Sequence, residues 1–247
     1  MQINVLDHGY VRLIECWGHG DAGVPEDNHN PNGPDLTDDM ECGIIEAARQ
    51  STQGSFRGWD TGDAKLLRFM YRNAHATPFE FAGMVIEVQA PIFVFREWHR
   101  HRTQSYNEAS ARYAPLSDLN YVPSVERLLA TATANKQAGA VAGAAALDAA
   151  AAEHFRHELQ LQYARAEALY QRALDAGVPK ELARACLPVG RYSKMRAAAN
   201  LRNWLSFVAL RSAPDAQEEI RAYSDAVGRI IAARFPRTWA LFKEGQS

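Results

Sequence analysis

Apolar and polar residues alternate in two stretches of the chain, at residues 3–17 and 83–95. A period of two places every second side chain on one face, which is typical of a half-buried β-strand. In the second stretch Ile86 and Val88 alternate with polar neighbours, and Pro91 indicates a bulge or an edge position. We therefore predict one or two strands in the first stretch and one strand in the second.

Apolar residues spaced by three and four predict helices in much of the remaining chain. The predicted helices cover residues 38–50, a segment beginning at Asp63, and residues 155–173, 180–186, 195–210 and 217–234, with Thr37 and Asp63 as caps of the first two. Residues 75–80 are predicted to be extended, because Pro78 disfavours helical backbone before it. The mixture of strands and helices, without an internal repeat, predicts a single α+β domain over residues 1–247.

Two segments interrupt this pattern, and we interpret them as insertions. Residues 19–35 are rich in Gly, Asn, Asp and Pro, which predicts a long loop. Residues 130–152 are dominated by alanine, which predicts a partly helical or loose segment without catalytic groups.

The overall composition is that of an ordinary globular protein. Apolar residues make up 47% of the 247 residues and charged residues 23%, and the formal net charge is −2. Proteins that bind nucleic acid through charge usually have a broad basic face, so that class is not favoured. The first ten residues do not have the pattern of a signal peptide, and no apolar run is long enough to span a bilayer. Three scattered cysteines fit a reducing cytoplasm better than a disulfide framework or a zinc site.

One segment has neither a helical nor a strand period. Residues 100–112 combine Arg100, Arg102 and Arg112 with hydroxyl, amide and carboxylate side chains, directly after the apolar run 92–95. Guanidinium groups bind phosphate oxygens in a bidentate manner, so we interpret the segment as a site for an anionic ligand. The alternative is a solvated surface loop. It is less favoured because aromatic residues that would wall a pocket flank the segment, namely Phe93, Phe95, Trp98 and Tyr113.

A second group of polar residues lies on the helix predicted over residues 195–210. Asn200 and Arg211 are eleven residues apart and share one helical face, which separates them by on the order of 16 Å. Arg202 and Ser206 form a neighbouring pair at a spacing of four. This length suits an extended ligand with polar groups at both ends; the alternative is a core helix whose ends reach solvent.

These segments resemble the flavin-dependent thymidylate synthases. The signature of that family is matched by Arg100, His101, Arg102, Ser105, Asn107, Glu108, Ser110 and Arg112. Residues 75–80, 90–98 and 177–184 also resemble segments of the family, as does the helix that carries Asn200, Arg202 and Arg211. The resemblance covers roughly residues 7–235.

The resemblance implies a curved, mainly antiparallel sheet flanked by helices, and a homotetramer whose active sites lie between subunits. It also implies the reductive methylation of dUMP at C5 to dTMP. The carbon would come from 5,10-methylenetetrahydrofolate, and FAD reduced by NADPH would supply the hydride, with release of tetrahydrofolate. Neither a metal, a nucleic acid nor a membrane is implied as a partner.

The resemblance implies roles for individual residues as well. Arg211 would be catalytic, because a fixed cation stabilises negative charge on the uracil ring at N3. The nucleotide would be bound by Glu97, Arg100, Glu108, Ala109, Ser110, Ala111, Arg112, Arg184 and Arg211. The flavin would be bound by His75, Thr77, Arg100, His101, Arg102, Glu108, Asn200, Arg202 and Ser206.

Glu97 and Ser206 depart from the family pattern. Glu97 stands where some members have Gln as a nucleotide contact. A carboxylate repels a phosphate, so we expect Glu97 to face the sugar, the base or an arginine. Ser206 stands where others have Asn or His near the flavin, and its shorter side chain would lose a contact or act through water.

Three alternative functions stay open at this point. A flavin-free thymidylate synthase needs a reactive cysteine, and Cys186 is the candidate, although its apolar neighbours favour an inert core cysteine. A metal hydrolase would use His99 and His101 with nearby carboxylates, but the flanking arginines would repel a cation. A nucleic-acid binder would combine the arginines with Trp98 and Tyr113, against the balanced net charge.

Overall fold

A five-stranded sheet forms the centre of the computed structural model, which describes residues 1–19, 39–130 and 146–246. The strands are β1 Gln2–Val5, β2 Gly9–Trp17, β3 Gly83–Pro91, β4 Ser105–Glu108 and β5 Tyr192–Asn200. They lie in the order β1-β2-β3-β5-β4, and each pair is antiparallel. The predicted fold class, a mainly antiparallel sheet flanked by helices, is confirmed.

Nine α-helices accompany the sheet within the described ranges. They are α1 Cys42–Arg49, α2 Asp63–Arg72, α3 Ile92–Trp98, α4 Val125–Leu129, α5 Ala149–Asp175, α6 Lys180–Ala183, α7 Leu201–Arg211, α8 Glu218–Arg234 and α9 Pro236–Glu244. The predictions that correspond to α1, α2, α5, α6 and α8 are confirmed, whereas α4 and α9 were not predicted. In the same ranges, no helix is both long enough and apolar enough to cross a membrane.

The predicted insertions lie mostly outside the described residues. This applies to residues 20–35 of the first insertion and to residues 131–145 of the second, and also to Thr37, the predicted cap. Where the description resumes, residues 149–152 form the first turn of α5, and Asp148 caps this helix by accepting a hydrogen bond from the backbone N–H of Ala151 at 2.8 Å.

The strand predicted over residues 83–95 ends earlier, at Pro91. The apolar run that follows is helical and begins α3, in which Val94, Phe95 and Trp98 are buried. Their spacing of three and four is that of a helix, but so short an apolar run does not distinguish a helix from a strand. Pro91 is the last residue of β3, which lies between β2 and β5, but Pro91 itself pairs only with Tyr192 of β5, so the predicted edge position holds for this residue.

The helix predicted over residues 195–210 is a strand followed by a helix. Alternate residues from Met195 to Ala199 are buried, and they pair with the central strand β3. The alanines of this segment favour helix, which masks the period of two. The helix α7 starts only after Asn200, which is its N-cap and accepts a hydrogen bond from the backbone N–H of Asn203 at 2.9 Å.

Two local predictions also need correction. The predicted extended segment contains a turn of 3₁₀-helix, Thr77–Glu80, because proline fits the first positions of a helix, where its missing N–H has no partner to lose. Asp63 is not a cap but the first residue of α2. Its buried carboxylate accepts hydrogen bonds from the backbone N–H groups of Arg57 and Gly58, at 2.7 and 3.1 Å.

Buried aromatic rings join α3 to α7. Trp98 stacks on Phe207 with 4.4 Å between ring centroids, and Trp204 Nε1 donates to the carbonyl oxygen of Met84 in β3 at 3.1 Å. Both tryptophans and Phe207 are fully buried. The packing therefore holds the C-terminal ends of α3 and α7 side by side, where the signature segment begins.

Candidate active site

The first half of the signature segment is anchored to the core, although Arg100 and Arg102 are exposed. Trp98 Nε1 donates to the buried Gln104 Oε1 at 3.0 Å. The hydroxyl of Tyr106 donates to the carbonyl oxygens of His101 and Trp98, at 2.6 and 3.2 Å. Burial raises the pKa of Tyr106 to about 12, so its hydroxyl remains a donor at neutral pH. These contacts fix the backbone between Trp98 and Tyr106, which carries Arg100, His101 and Arg102.

Arg211, the last residue of α7, lies against the end of α3. Its Nε donates to His101 Nε2 at 2.9 Å, its Nη1 to Glu97 Oε2 at 2.8 Å, and its Nη2 to the carbonyl oxygen of Glu97 at 2.8 Å. Its side chain is only 12% exposed. Glu97 therefore faces an arginine, one of the three expected arrangements, and the structure brings Arg211, Glu97 and His101 together.

His101 is a neutral imidazole in this arrangement. Its Nε2 accepts a hydrogen bond from a guanidinium, which has no lone pair to offer in return, so the ring proton is on Nδ1. Burial, followed by the positive charge of Arg211, lowers the pKa of His101 to about 4. The ring also packs edge-on against Phe207 at 4.8 Å between centroids. The site thus combines one fixed cation with a neutral hydrogen-bond donor.

The far end of the signature segment forms a second polar cluster around Glu181. Arg112 Nε lies 3.2 Å from Glu181 Oε2, and Arg184 Nε donates to the carbonyl oxygen of Glu181 at 3.3 Å. The Oγ atom of Ser110 accepts from the backbone N–H of Arg112 at 3.3 Å. Arg112 and Glu181 are both more than half exposed, so solvent and an anionic ligand can reach the Arg112 guanidinium.

Along the chain, the two clusters flank β4: His101 precedes its first residue, and Ser110 and Arg112 follow its last. Within the described ranges, the two clusters share neither carboxylate: Glu97 pairs with Arg211, and Glu181 pairs with Arg112. The four residues of β4 span on the order of 13 Å. A single chain therefore brings the predicted substrate residues together as two separate groups.

A groove with a volume of about 260 Å³ contains part of the predicted flavin site. His75, Arg202 and Ser206 line it, together with apolar residues such as Phe79 and Leu205. Arg202 forms an ion pair with Glu80 at the rim. The Oγ atom of Ser206 donates to the carbonyl oxygen of Arg202 at 3.0 Å, so it turns toward its own helix.

The other candidate residues lie around these features. Arg100 and Arg102 are exposed in the turn after α3, and Thr77 opens the 3₁₀ turn next to His75. Asn200 is occupied as the N-cap of α7. The remaining predicted nucleotide contacts are Glu108, Ala109 and Ala111. Glu108 and Ala109 line a hollow of about 240 Å³ at the edge of the sheet, together with Lys194 and Arg196, whereas Ala111 is buried.

Two acidic residues at the site were not among the candidates. Glu80 pairs with Arg202, and Glu181 contacts both Arg112 and Arg184. Each belongs to a segment that resembles the family, so its position in a motif was a usable signal.

The alternative functions receive little support from the geometry. The thiol of Cys186 donates to two carbonyl oxygens, those of Ala183 at 3.3 Å and Ala166 at 3.6 Å, as a structural cysteine does. His99 Nε2 lies 3.2 Å from the sulfur of Met195 rather than beside a carboxylate. In the part of the chain that the structure describes, no group of three or more His, Cys, Asp or Glu is arranged to hold a metal ion.

Proteins of known function are similar to this chain along most of its length. Residues 35–237 match the family model described as "Thymidylate synthase complementing protein". A flavin-dependent thymidylate synthase of Thermus thermophilus is 37% identical over 244 residues, which cover 99% of this chain and 79% of that protein. Another from Thermotoga neapolitana is 30% identical, with 98% and 94% covered.

A solved structure is similar over nearly the whole chain. The crystal structure of the UMP/dUMP methylase PolB from Streptomyces cacaoi, bound with 5-Br UMP, has a TM-score of 0.76 and 28% identity. The match covers 98% of this chain and 96% of that one. The chain belongs to the flavin-dependent thymidylate synthase family.

Proposed function

We propose that this chain makes dTMP from dUMP with its arginines divided between the two ends of the nucleotide. Arg112 and Arg184 hold the phosphate, together with Arg100 and Ser110, because guanidinium forks suit a dianionic phosphate. Arg211 faces the uracil ring. The observation that carries this proposal is that three acceptors hold the Arg211 guanidinium, and one of them is the neutral imidazole of His101.

The role of Arg211 follows from electrostatics. A cation that is already oriented stabilises negative charge developing on the uracil ring without reorganisation during the reaction. Such charge makes C5 nucleophilic, so the ring can attack the one-carbon unit of methylenetetrahydrofolate without a covalent protein nucleophile. His101, being neutral, adds a hydrogen-bond donor without a second positive charge.

The groove beside Arg202 fits one part of FAD. It offers a cation, a hydroxyl and an imidazole above an apolar wall, which suits a molecule with a flat ring and a diphosphate. We assign His75, Thr77, Asn200, Arg202 and Ser206 to this binding, with Arg100, His101, Arg102 and Glu108 from the signature segment. When bound, FAD reduced by NADPH supplies the hydride that completes the methyl group.

We further propose a single-domain subunit that assembles as a cytoplasmic homotetramer. The support is the division of the substrate residues into two groups in one chain. A neighbouring subunit that contributes one of the groups would complete the site.

Tritium release tests the reaction directly. The methyl group replaces the hydrogen at C5, so [5-³H]dUMP should release tritium to water only when FAD, NADPH and methylenetetrahydrofolate are all present. Cys186→Ser serves as a matched variant and should retain release, since its thiol has a structural role. Release without flavin that disappears in Cys186→Ser would overturn the proposal in favour of a cysteine-dependent synthase.

A second candidate substrate is UMP, because the similar solved structure is named a UMP/dUMP methylase. The same assay with [5-³H]UMP decides between the nucleotides. We expect dUMP to have the larger kcat/KM, in line with the relatives named as thymidylate synthases. A larger kcat/KM for UMP would reassign the substrate.

A further inference from the structure

Glu97 contacts the guanidinium of Arg211 twice, through its side chain and through its backbone. Its Oε2 lies 2.8 Å from Arg211 Nη1, and its carbonyl oxygen lies 2.8 Å from Arg211 Nη2. Glu97 is the penultimate residue of α3, where the carbonyl groups of a helix end favour a cation. One residue therefore ties the end of α7 to the end of α3.

These contacts determine which donors of Arg211 are free. Arginine carries five N–H groups in a planar fork. Glu97 takes one from each terminal nitrogen, and His101 Nε2 takes the Nε–H. One N–H on each terminal nitrogen is left for a ligand, and its direction is fixed while Glu97 is in place. Little orientational freedom is then lost when a ligand binds.

Glu97 also offsets the charge of Arg211. Its side chain is 42% exposed, against 12% for Arg211, so the pair is partly screened by solvent. dUMP carries its negative charge on the phosphate, and like charges repel, so this carboxylate opposes binding of the nucleotide anion as a whole. Glutamine would keep the shape and one acceptor oxygen but would remove the charge.

We propose that Glu97 is a positioning residue that aims Arg211 at the substrate and weakens, through its negative charge, the affinity of the site for dUMP. This inference rests on the proposed function of Arg211. It assigns two separable effects to one side chain: the acceptor oxygen supports turnover, and the charge sets nucleotide affinity.

Two substitutions separate these effects in steady-state kinetics. Glu97→Gln keeps an acceptor, so kcat should stay within about threefold, while KM for dUMP should fall about two- to fivefold, the range that a partly exposed ion pair supports. Glu97→Ala removes one of the three acceptors and leaves the backbone carbonyl and His101 Nε2 to hold the guanidinium, so kcat should fall roughly 10- to 100-fold because Arg211 is less well oriented. Glu153→Gln is the matched control, since it removes a carboxylate that pairs with Arg156 on α5, and both constants should be unchanged.

A purely structural role for Glu97 gives a different pattern. If Glu97 only fastens α3 to α7, Gln and Ala should lower kcat together, in proportion to a lower Tm, and KM for dUMP should not fall. That pattern overturns the proposal. So does a kcat within twofold of wild type for Glu97→Ala.

The imidazole of His101 reports the arrangement without flavin or nucleotide. In ¹⁵N NMR of the uniformly labelled protein, with the signal assigned by its loss in His101→Asn, Nε2 should be the unprotonated nitrogen at pH 7. Glu97→Ala should mix the two tautomers, and Glu97→Gln should preserve the wild-type form. A wild-type His101 protonated on Nε2 would overturn the positioning and leave the proposed activity standing. If the wild-type enzyme released no tritium, the proposed activity would be overturned, and the NMR result would still support the positioning of Arg211.

Discussion

Arg211 is the residue on which the proposed chemistry depends, and lysine is the sharpest substitution for it. Lysine keeps the charge but cannot reach Glu97 and His101 with a planar fork. We expect Arg211→Lys to lower kcat/KM for dUMP by about 10²- to 10³-fold, the usual loss when one preorganised donor is removed. Arg221→Lys on α8 is the control and should behave as wild type. Equal activity of Arg211→Lys and wild type would contradict a role for the guanidinium geometry.

The histidine beside it should titrate unusually low. Because burial and then Arg211 lower the pKa of His101 to about 4, we expect its ¹⁵N signals to shift with a midpoint near that value. An unfolded histidine titrates near pH 6.5. Between pH 4 and 6.5 the unfolded chain therefore binds more protons, so this group's contribution to stability is complete above pH 6.5 and is lost as the pH falls.

Urea denaturation checks the stability part of this prediction. The unfolding midpoint of the wild type should decrease from pH 7 to pH 5, and His101→Asn should decrease less over the same interval because it lacks the titrating ring. Identical decreases would show that His101 does not contribute in this window.

At the scale of elements, Asn200 has a helix-capping role as well as the proposed flavin role. Its Oδ1 caps α7, and loss of an N-cap typically costs about 1 kcal/mol. We expect Asn200→Ala to lower the free energy of unfolding by about that amount and also to weaken FAD binding, measured by flavin fluorescence. Asp148→Ala removes the cap of α5 and should match the stability loss while FAD binding is unchanged. Equal FAD affinity in both variants would restrict Asn200 to the cap.

Sequence periodicity predicted an α+β chain and most of its helices, and the family resemblance implied the mainly antiparallel sheet, but neither predicted the two junctions that build the site. In β5 the alternation of buried residues is carried by small alanines, whose helix propensity conceals it. In α3 only a few apolar residues follow a strand directly, and their pattern fits either element. Motif residues such as Arg211 and His101 could be named because they match segments of the family. Their contact with each other, and the fact that Arg211 is the arginine that faces Glu97, could not be predicted, since both depend on how α3 packs on α7.

At the scale of the whole molecule, the two arginine groups predict a site shared between subunits. Arg112 and Arg184 both contact Glu181, whereas Arg211 contacts Glu97 and belongs to the cluster that precedes β4. If neighbouring subunits supply one group each, mixing inactive Arg112→Ala and Arg211→Ala proteins should restore part of the activity after subunit exchange. Mixtures that stay inactive, despite exchange verified by mass spectrometry, would place both groups in one subunit's site.

A crystal structure of the complex with FAD and dUMP would show which side chains lie within hydrogen-bond distance of one bound nucleotide. This is the most direct test of the proposed division of the arginines between phosphate and uracil. We predict that Arg112 and Arg184 contact its phosphate and that Arg211, still held by Glu97, contacts its uracil ring, with neighbouring subunits included. A bound dUMP that leaves Arg211 more than a water-mediated contact away from the ring would contradict it.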